Sequence, residues 1–293
     1  MGGPSKERKV SLSSGKAVYL ALKKLGYEVT KIDPKIKSKN FIKYNCDIAF
    51  NALHGQFGED GTIQSLLERQ KIPYTHSGVK SSALAMDKLK SKKKFTEAKI
   101  KTPKFKLIQK ISDLNNIISK KKFVLKPINE GSSVGVTICK NLTTLNKIKI
   151  KTYLKKYKKL LQEEFIEGKE IQAAVMGNKA LGAIEIKPSR NFYDYNAKYS
   201  LKAKTKHIMP ANLEKKIYKK VLQVAIKAHK CLSCKGITRS DFIVSKDNEI
   251  YILESNTQPG MTPLSLVPEI AEYSGITFEK LIKWMVLDAS TNR

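Results

Sequence analysis

Two short segments near the C-terminus carry residue types that do chemistry: Arg239-Ser-Asp241 and Glu254-Ser-Asn256, within ITRSDFIVSKDNEIYILESNTQPGMTP. Both read as strands, with apolar Phe242 and Val244 alternating in the first and Ile250, Ile252 and Leu253 in the second. A two-residue hairpin loop at Asp247-Asn248 predicts that Lys246 faces Glu249, Val244 faces Tyr251, Asp241 faces Glu254 and Arg239 faces Asn256. Strand side chains repeat every second residue, so the last four share one face. Two carboxylates roughly 5 Å apart repel unless a positive charge lies between them. A hard divalent cation takes oxygen ligands, and Mg2+ also holds substrate phosphates. The hairpin therefore predicts a metal–phosphate site.

A second element suits phosphate upstream. FVLKPINEGSSVGV, residues 123–136, is a strand ending near Lys126, then a loop with Gly131, Ser132, Ser133 and Gly135. Small residues let backbone N–H groups approach phosphate oxygens, and Lys126 adds a point charge. It is not a Walker A loop, because GK[ST] is absent. QEEFIEGKE follows, with a strand, a glycine turn and an acid at Glu170. A strand edge offers backbone groups to adenine, and Glu170 suits ribose hydroxyls. A solvated acidic turn fits these residues equally well.

Other function classes are weaker. The net charge of +30 invites a nucleic-acid partner, but only five of the 56 basic residues are arginine. Base readout and bidentate phosphate recognition favour arginine. The lysines are scattered, and runs such as Lys92-Lys93-Lys94 have no interleaved aromatics for stacking. The reading is a solvated basic surface with no specific nucleic-acid partner. No apolar run approaches the ~20 residues of a membrane span, and MGGPSKERK lacks the apolar core of a signal peptide; a cytoplasmic, soluble protein without membrane contact is expected. Cys231 and Cys234 have redox or zinc spacing, but without a second pair or a nearby His-x3-His they read as packed thiols at a helix end.

The elements that position these residues follow from periodicity. A helix carries Val18, Ala21, Leu22 and Leu25 and closes at Gly26. Strands are predicted at 27–32, 47–53 and 72–75, with a short helix at Ile63, Leu66 and Leu67 between the last two. Strands alternating with helices predict a doubly wound α/β unit whose ligands sit beyond the strand ends, where His54 lies. One helix is predicted over 86–98. Strands follow at 105–108, 123–126, 136–139, 160–165, 171–176 and 180–186, then a polar loop at 189–207. Helices carrying Ile217, Val221 and Ala225, and Phe278, Leu281 and Met285, flank the hairpin.

GGPSKERKVSLSSG, NALHGQFGEDGTIQ, SGVKSSALAMDKLKSK, LKPINEGSSVGV, FYDYNAKY, GITRSDF and LESNTQPGMTPLSLVP occur in the order and at about the spacing of one family. The chain resembles the D-alanine–D-alanine ligases of the ATP-grasp superfamily along nearly its whole length. The length alone suggests about two domains; the resemblance implies three α/β subdomains, 1–77, 78–163 and 164–293, the last two forming the ATP-grasp part. It implies ATP, two Mg2+ ions (or Mn2+) and D-alanine as ligands, and a homodimer. ATP phosphorylates one D-alanine carboxylate, and the amine of a second attacks the acyl phosphate. It further implies that Asp241, Glu254 and Asn256 bind the metals, and that Lys88, Lys126 and Lys198 add charge around the phosphates. Glu163, Phe165, Ile166 and Glu170 match the adenosine hinge. Arg239 and the Gly260 N–H match the oxyanion stabilisers. Glu7 would hold the first ammonium, with His54 nearby, and Ser265 the second substrate's carboxylate. Glu7, Ser132 and Tyr199 match a trio that closes a lid over the acyl phosphate. Tyr199 also favours an amino acid over a hydroxy acid as second substrate. The family's first apolar strand is absent before Gly2-Gly3, so residues upstream of Met1 and a loosely held Glu7 are expected.

Overall fold

The computed structural model describes residues 1–35, 46–114, 121–131, 134–141, 144–187, 205–262 and 265–293. The chain builds mixed α/β architecture around two antiparallel sheets, one of four strands and one of five. Among the described residues no helix is long and apolar enough to cross a membrane.

The N-terminal part is mostly helical. Helix α1 (Arg8–Lys24) buries Val10, Ser14, Val18, Ala21 and Leu22 along one stripe. It ends as its sequence dictates: Gly26 takes φ +85°, its N–H reaches Lys23 O, and Tyr27 N–H reaches Leu22 O. This is a Schellman cap, which glycine adopts without the Cβ penalty. α2 (Thr62–Arg69) follows. The three predicted N-terminal strands are not formed as strands. Segments 47–53 and 72–75 touch through one parallel bridge, Ala49 to Tyr74, and 27–32 makes none. Alternating apolar residues report a buried face, but a strand also needs a partner edge for its ladder.

The helix predicted over 86–98 forms as α4 (Lys88–Glu97), and a separate helix that the sequence did not suggest, α3 (Val79–Met86), precedes it. Asp87 breaks them by taking an extended conformation, and its side chain accepts from Lys90 N. A short carboxylate favours this N-cap geometry over a helix interior. The break starts a new helix at Lys88.

The four-stranded sheet has the order β1 (Phe105–Ile108), β4 (Leu160–Glu164), β2 (Phe123–Pro127), β3 (Thr137–Cys139). Its core of Ile108, Phe123, Leu125 and Leu160 meets Ile150 of helix α5 (Thr144–Tyr157). The five-stranded sheet runs β7 (Lys206–Ile208), β6 (Lys179–Lys187), β5 (Gly168–Met176), β8 (Ile237–Ser245), β9 (Ile250–Asn256). β7 begins in the last two residues of the segment predicted as loop, 189–207, and ends one residue beyond it. One face carries Ile171, Ala173, Phe242 and Ile252 against Val221 and Ala225 of α6 (Lys215–Cys231). The other carries Ala174, Ile184 and Ile237 against α7 (Leu266–Tyr273) and α8 (Phe278–Asp288). Cys231 and Cys234 are free thiols at the end of α6, and burial pushes them up to about 11 and about 12.

The β8–β9 hairpin meets its central expectation by an unexpected route. Asp241 pairs with Glu254 and Arg239 with Asn256, but Val244 pairs with Ile250 and Ile243 with Tyr251. The loop holds three residues, with Ser245 N–H on Glu249 O and Asn248 at φ +60°. A left-handed residue closing a three-residue turn is favoured by asparagine. That offsets the register by one, and a bulge after Asp241 restores it.

Candidate active site

The two sheets are joined by the hinge 165–167 between β4 and β5, and a cavity of about 370 Å3 opens between them. Each wall is placed by a named element. β2 brings Lys126, β4 brings Glu163, the hinge brings Phe165 and Ile166, β5 brings Glu170, the hairpin brings Asp241 and Glu254, and the start of α4 brings Lys88. All eight were singled out in the sequence.

Positive charge answers the paired carboxylates. Arg239 grips Asp241 with two bonds, Nε to Oδ1 at 2.7 Å and Nη2 to Oδ2 at 3.0 Å. Lys88 Nζ lies 3.2 Å from Glu254 Oε2 and donates to Glu130 O at 2.7 Å. Two of the candidate ligands are thus held by protein cations, which divides the repulsion predicted between them. Asn256 Oδ1 accepts from Gln258 N at 2.7 Å. Two carboxylates and an amide oxygen are a hard donor set, suited to Mg2+ or Mn2+ rather than to a thiophilic metal. Among the described residues no group of three or more His, Cys, Asp or Glu converges as metal ligands.

A smaller cavity of about 70 Å3 lies on the N-terminal side, lined by Glu7, His54, Arg239, Asn256 and Gly260. Lys88 and Glu254 line both cavities, so they form the wall between them. Glu7 directly precedes α1 and is only 8% exposed. It is not loosely held. Its N–H reaches Ser5 Oγ at 3.2 Å, and the Met1 ammonium reaches Ile32 O at 2.9 Å. Arg8 binds both oxygens of Asp33; this holds the Asp33 carboxyl down to about 2. Ion pairing of the next residue anchors the turn before α1. Glu7 Oε1 lies 2.6 Å from where a Cβ on Gly131 would stand, so glycine there lets the backbone after β2 approach Glu7.

His54 reaches the same cavity, but both its ring nitrogens face protein groups: Nδ1 lies 3.1 Å from Glu59 Oε1 and Nε2 3.0 Å from Ser14 Oγ. Ser14 Oγ also receives Met261 N–H at 3.3 Å, which ties α1 to the turn after Gly260. Ser265 Oγ contacts Thr262 N and Oγ1 at 3.0 and 2.8 Å, directly before α7. It would meet a Cβ on Gly260 at 2.9 Å, so the two are close neighbours. Ser132, Lys198 and Tyr199 lie outside the described residues. The sequence reading missed Glu59 and Lys92. Glu59 stands in GEDG, where it resembled a turn residue; Lys92 follows Lys88 by four, and that helical spacing was the available signal.

Comparison with known proteins agrees with this geometry. Residues 94–287 match the family described as D-ala D-ala ligase C-terminus, and residues 33–77 match D-ala D-ala ligase N-terminus. The D-alanine–D-alanine ligase of Pelagibacter ubique (strain HTCC1062) is 55% identical, covering 100% of this chain and 97% of the relative. The crystal structure of the Bacillus anthracis D-alanine–D-alanine ligase aligns at TM-score 0.84 and 35% identity over 98% of this chain and 95% of that one. Its complex with ATP aligns at TM-score 0.83 and 34% identity, over 98% and 94%. With both halves matched in order and the fold shared along nearly the whole length, the chain belongs to the D-alanine–D-alanine ligase family.

Proposed function

We propose that this protein joins two D-alanines into D-alanyl-D-alanine with ATP, in the cytoplasm, for peptidoglycan precursors. The observation that carries the reading is the common wall of the two cavities, Lys88 and Glu254. A nucleotide-sized space on one side and an amino-acid-sized space on the other meet at one ammonium and one carboxylate. That is the arrangement a phosphoryl transfer between two bound substrates needs. In the proposed division, 1–77 holds the first amino acid, 78–163 the phosphates, and 164–293 the metals and the second amino acid.

The larger cavity takes ATP, with adenosine along Glu163, Phe165, Ile166 and Glu170, and its phosphates toward Lys88, Lys126 and Lys198. Asp241, Glu254 and Asn256 are the residues that would hold two Mg2+ ions, which supply charge neutralisation for the phosphates. Glu7 receives the ammonium of the first D-alanine, and its burial makes that contact strong. The carboxylate of that D-alanine attacks the terminal phosphorus, ADP leaves, and an acyl phosphate forms. The neutral amine of a second D-alanine, oriented by Ser265, then attacks the acyl carbon. Arg239 and the Gly260 N–H stabilise the oxyanion, and phosphate leaves. His54, fixed between Glu59 and Ser14, keeps the substrate wall rigid. Ser132 and Tyr199 close the site with Glu7 and exclude water, and Tyr199 selects an amine nucleophile over the hydroxyl of D-lactate.

The test is dipeptide formation with phosphate release. Turnover should require ATP and D-alanine together and should collapse in Glu254→Gln, which keeps shape but removes one charge. Wild-type turnover in that variant would overturn the metal assignment. Faster ester formation with D-lactate than dipeptide formation at neutral pH would overturn the choice of second substrate.

A further inference from the structure

Lys92 lies one turn after Lys88 on α4 and has no solvent exposure. Lysine is almost never fully buried unless paired. Its ammonium donates to Thr102 Oγ1 at 2.7 Å and lies 3.2 Å from Glu163 Oε1. Lys126 meets the same Glu163 oxygen at 2.8 Å. The Phe105 ring lies 5.8 Å from Lys92, and Glu254 is the further acid within electrostatic range. Burial pushes the ammonium down to about 8, against the pull of Glu163, and leaves it mostly protonated at neutral pH.

The three groups sit at different depths. Glu163 and Lys126 line the large cavity, whereas Lys92 stands behind that wall. Two ammonium groups to one carboxylate leave the cluster with a net charge of about +1 at neutral pH. Without Lys92 the Glu163 carboxylate would match Lys126 one to one, and this part of the wall would be neutral.

We propose that Lys92 is a positioning residue: it is the rear counter-ion of Glu163, and it leaves the charge of Lys126 available to the phosphates of a bound nucleotide. This rests on the reading of the large cavity as the ATP site. The division of labour follows from placement. Lys88 and Lys92 leave the same helix face, one toward the metal carboxylate and the other toward the adenosine-side carboxylate. Lys126 works between them.

The test measures ADP and adenosine binding to the whole protein by calorimetry, and the readout is the ratio of the two affinities. Both ligands share the base and ribose; only ADP carries phosphate. Lys92→Met keeps the chain length and removes the charge. It should lower the ADP-to-adenosine affinity ratio roughly tenfold, the scale of one charge-assisted contact. The double variant Lys92→Met with Glu163→Gln removes one charge of each sign, so the cluster keeps its wild-type net charge of about +1, now carried by Lys126 alone. It should return the ratio to the wild-type value, which a purely structural role for Lys92 would not produce. An equal loss for both ligands in Lys92→Met, or a double variant whose ratio stays low, would overturn the proposal. Wild-type protein that binds neither ligand would overturn the ATP-site reading, and the proposal with it. If Lys92→Met does not fold, the double variant alone decides: a wild-type ratio supports the proposal, and a lowered one refutes it.

Discussion

Replacing Lys88 by methionine separates charge from shape at the wall between the two cavities. In wild type the Lys88 ammonium lies 3.2 Å from Glu254 and is buried to 7% exposure. At an effective dielectric of about 20, that separation corresponds to about 5 kcal/mol of Coulomb attraction. Desolvation of both groups offsets most of it, so a net one to two kcal/mol, or about tenfold in an equilibrium, is a reasonable scale. With Glu254 as a metal ligand in the proposed function, Lys88 would compete with the ion for it when no nucleotide is bound. Removing it should tighten Mn2+ binding to the nucleotide-free protein about tenfold. The same change removes a fixed positive charge from the phosphoryl-transfer path, and turnover should fall about 100- to 1,000-fold, the loss typical of one preorganised electrostatic donor. Opposite signs are the diagnostic, because general structural damage would weaken both. Titrating Mn2+ by its electron paramagnetic resonance signal and measuring phosphate release would give the two numbers. Mn2+ binding that is unchanged or weaker, or turnover within about tenfold of wild type, would refute the reasoning.

Two further predictions concern the frame. Asp33→Asn should loosen the turn that holds Glu7. The carboxyl is held down to about 2, first by hydrogen bonding to Arg8, so its stabilisation is complete above about pH 4 and is lost as pH falls through about 2. After solvent screening we expect about 1 kcal/mol, read as a urea-midpoint difference that disappears at low pH; a difference that persists at pH 2 would contradict this. His229, 3% exposed and bonded to Thr238 Oγ1 at 2.8 Å, is held down to about 4 by burial. Its neutral form favours folding, so stability should be complete above about pH 6.5 and fall as pH drops through about 4. In His229→Gln the urea midpoint should change less over that interval, and an unchanged acid slope would remove His229 as a cause.

The C-terminal pairing was legible because it rests on period-two alternation, which the structure keeps at Arg239, Asp241, Glu254 and Asn256. Even there two local features, the αL residue Asn248 and the bulge after Asp241, cancel each other, and the turn signal alone misplaced Val244 by one residue. The N-terminal strands were less legible because a buried face and a hydrogen-bonded edge are different requirements; 47–53 satisfies the first through Ala52 and Leu53 and the second only at Ala49. The break at Asp87 was visible as a residue and unread as a cap. Lys92 and Glu59 escaped because their partners, Glu163 and His54, come close only in the folded chain. Roles for Glu7, Ser265 and Gly260 came from resemblance to a family, since nothing in their own spacing identifies an ammonium or carboxylate site.

In the proposed reaction the phosphoryl group passes across the Lys88–Glu254 wall onto the carboxylate of the first D-alanine. The direct measurement uses D-alanine labelled with 18O in its carboxyl group and follows the label into released phosphate by mass spectrometry. One 18O atom should appear in the phosphate for each dipeptide formed, because the acyl phosphate breaks at its acyl carbon when the amine attacks. Dipeptide formation accompanied by unlabelled phosphate would contradict it.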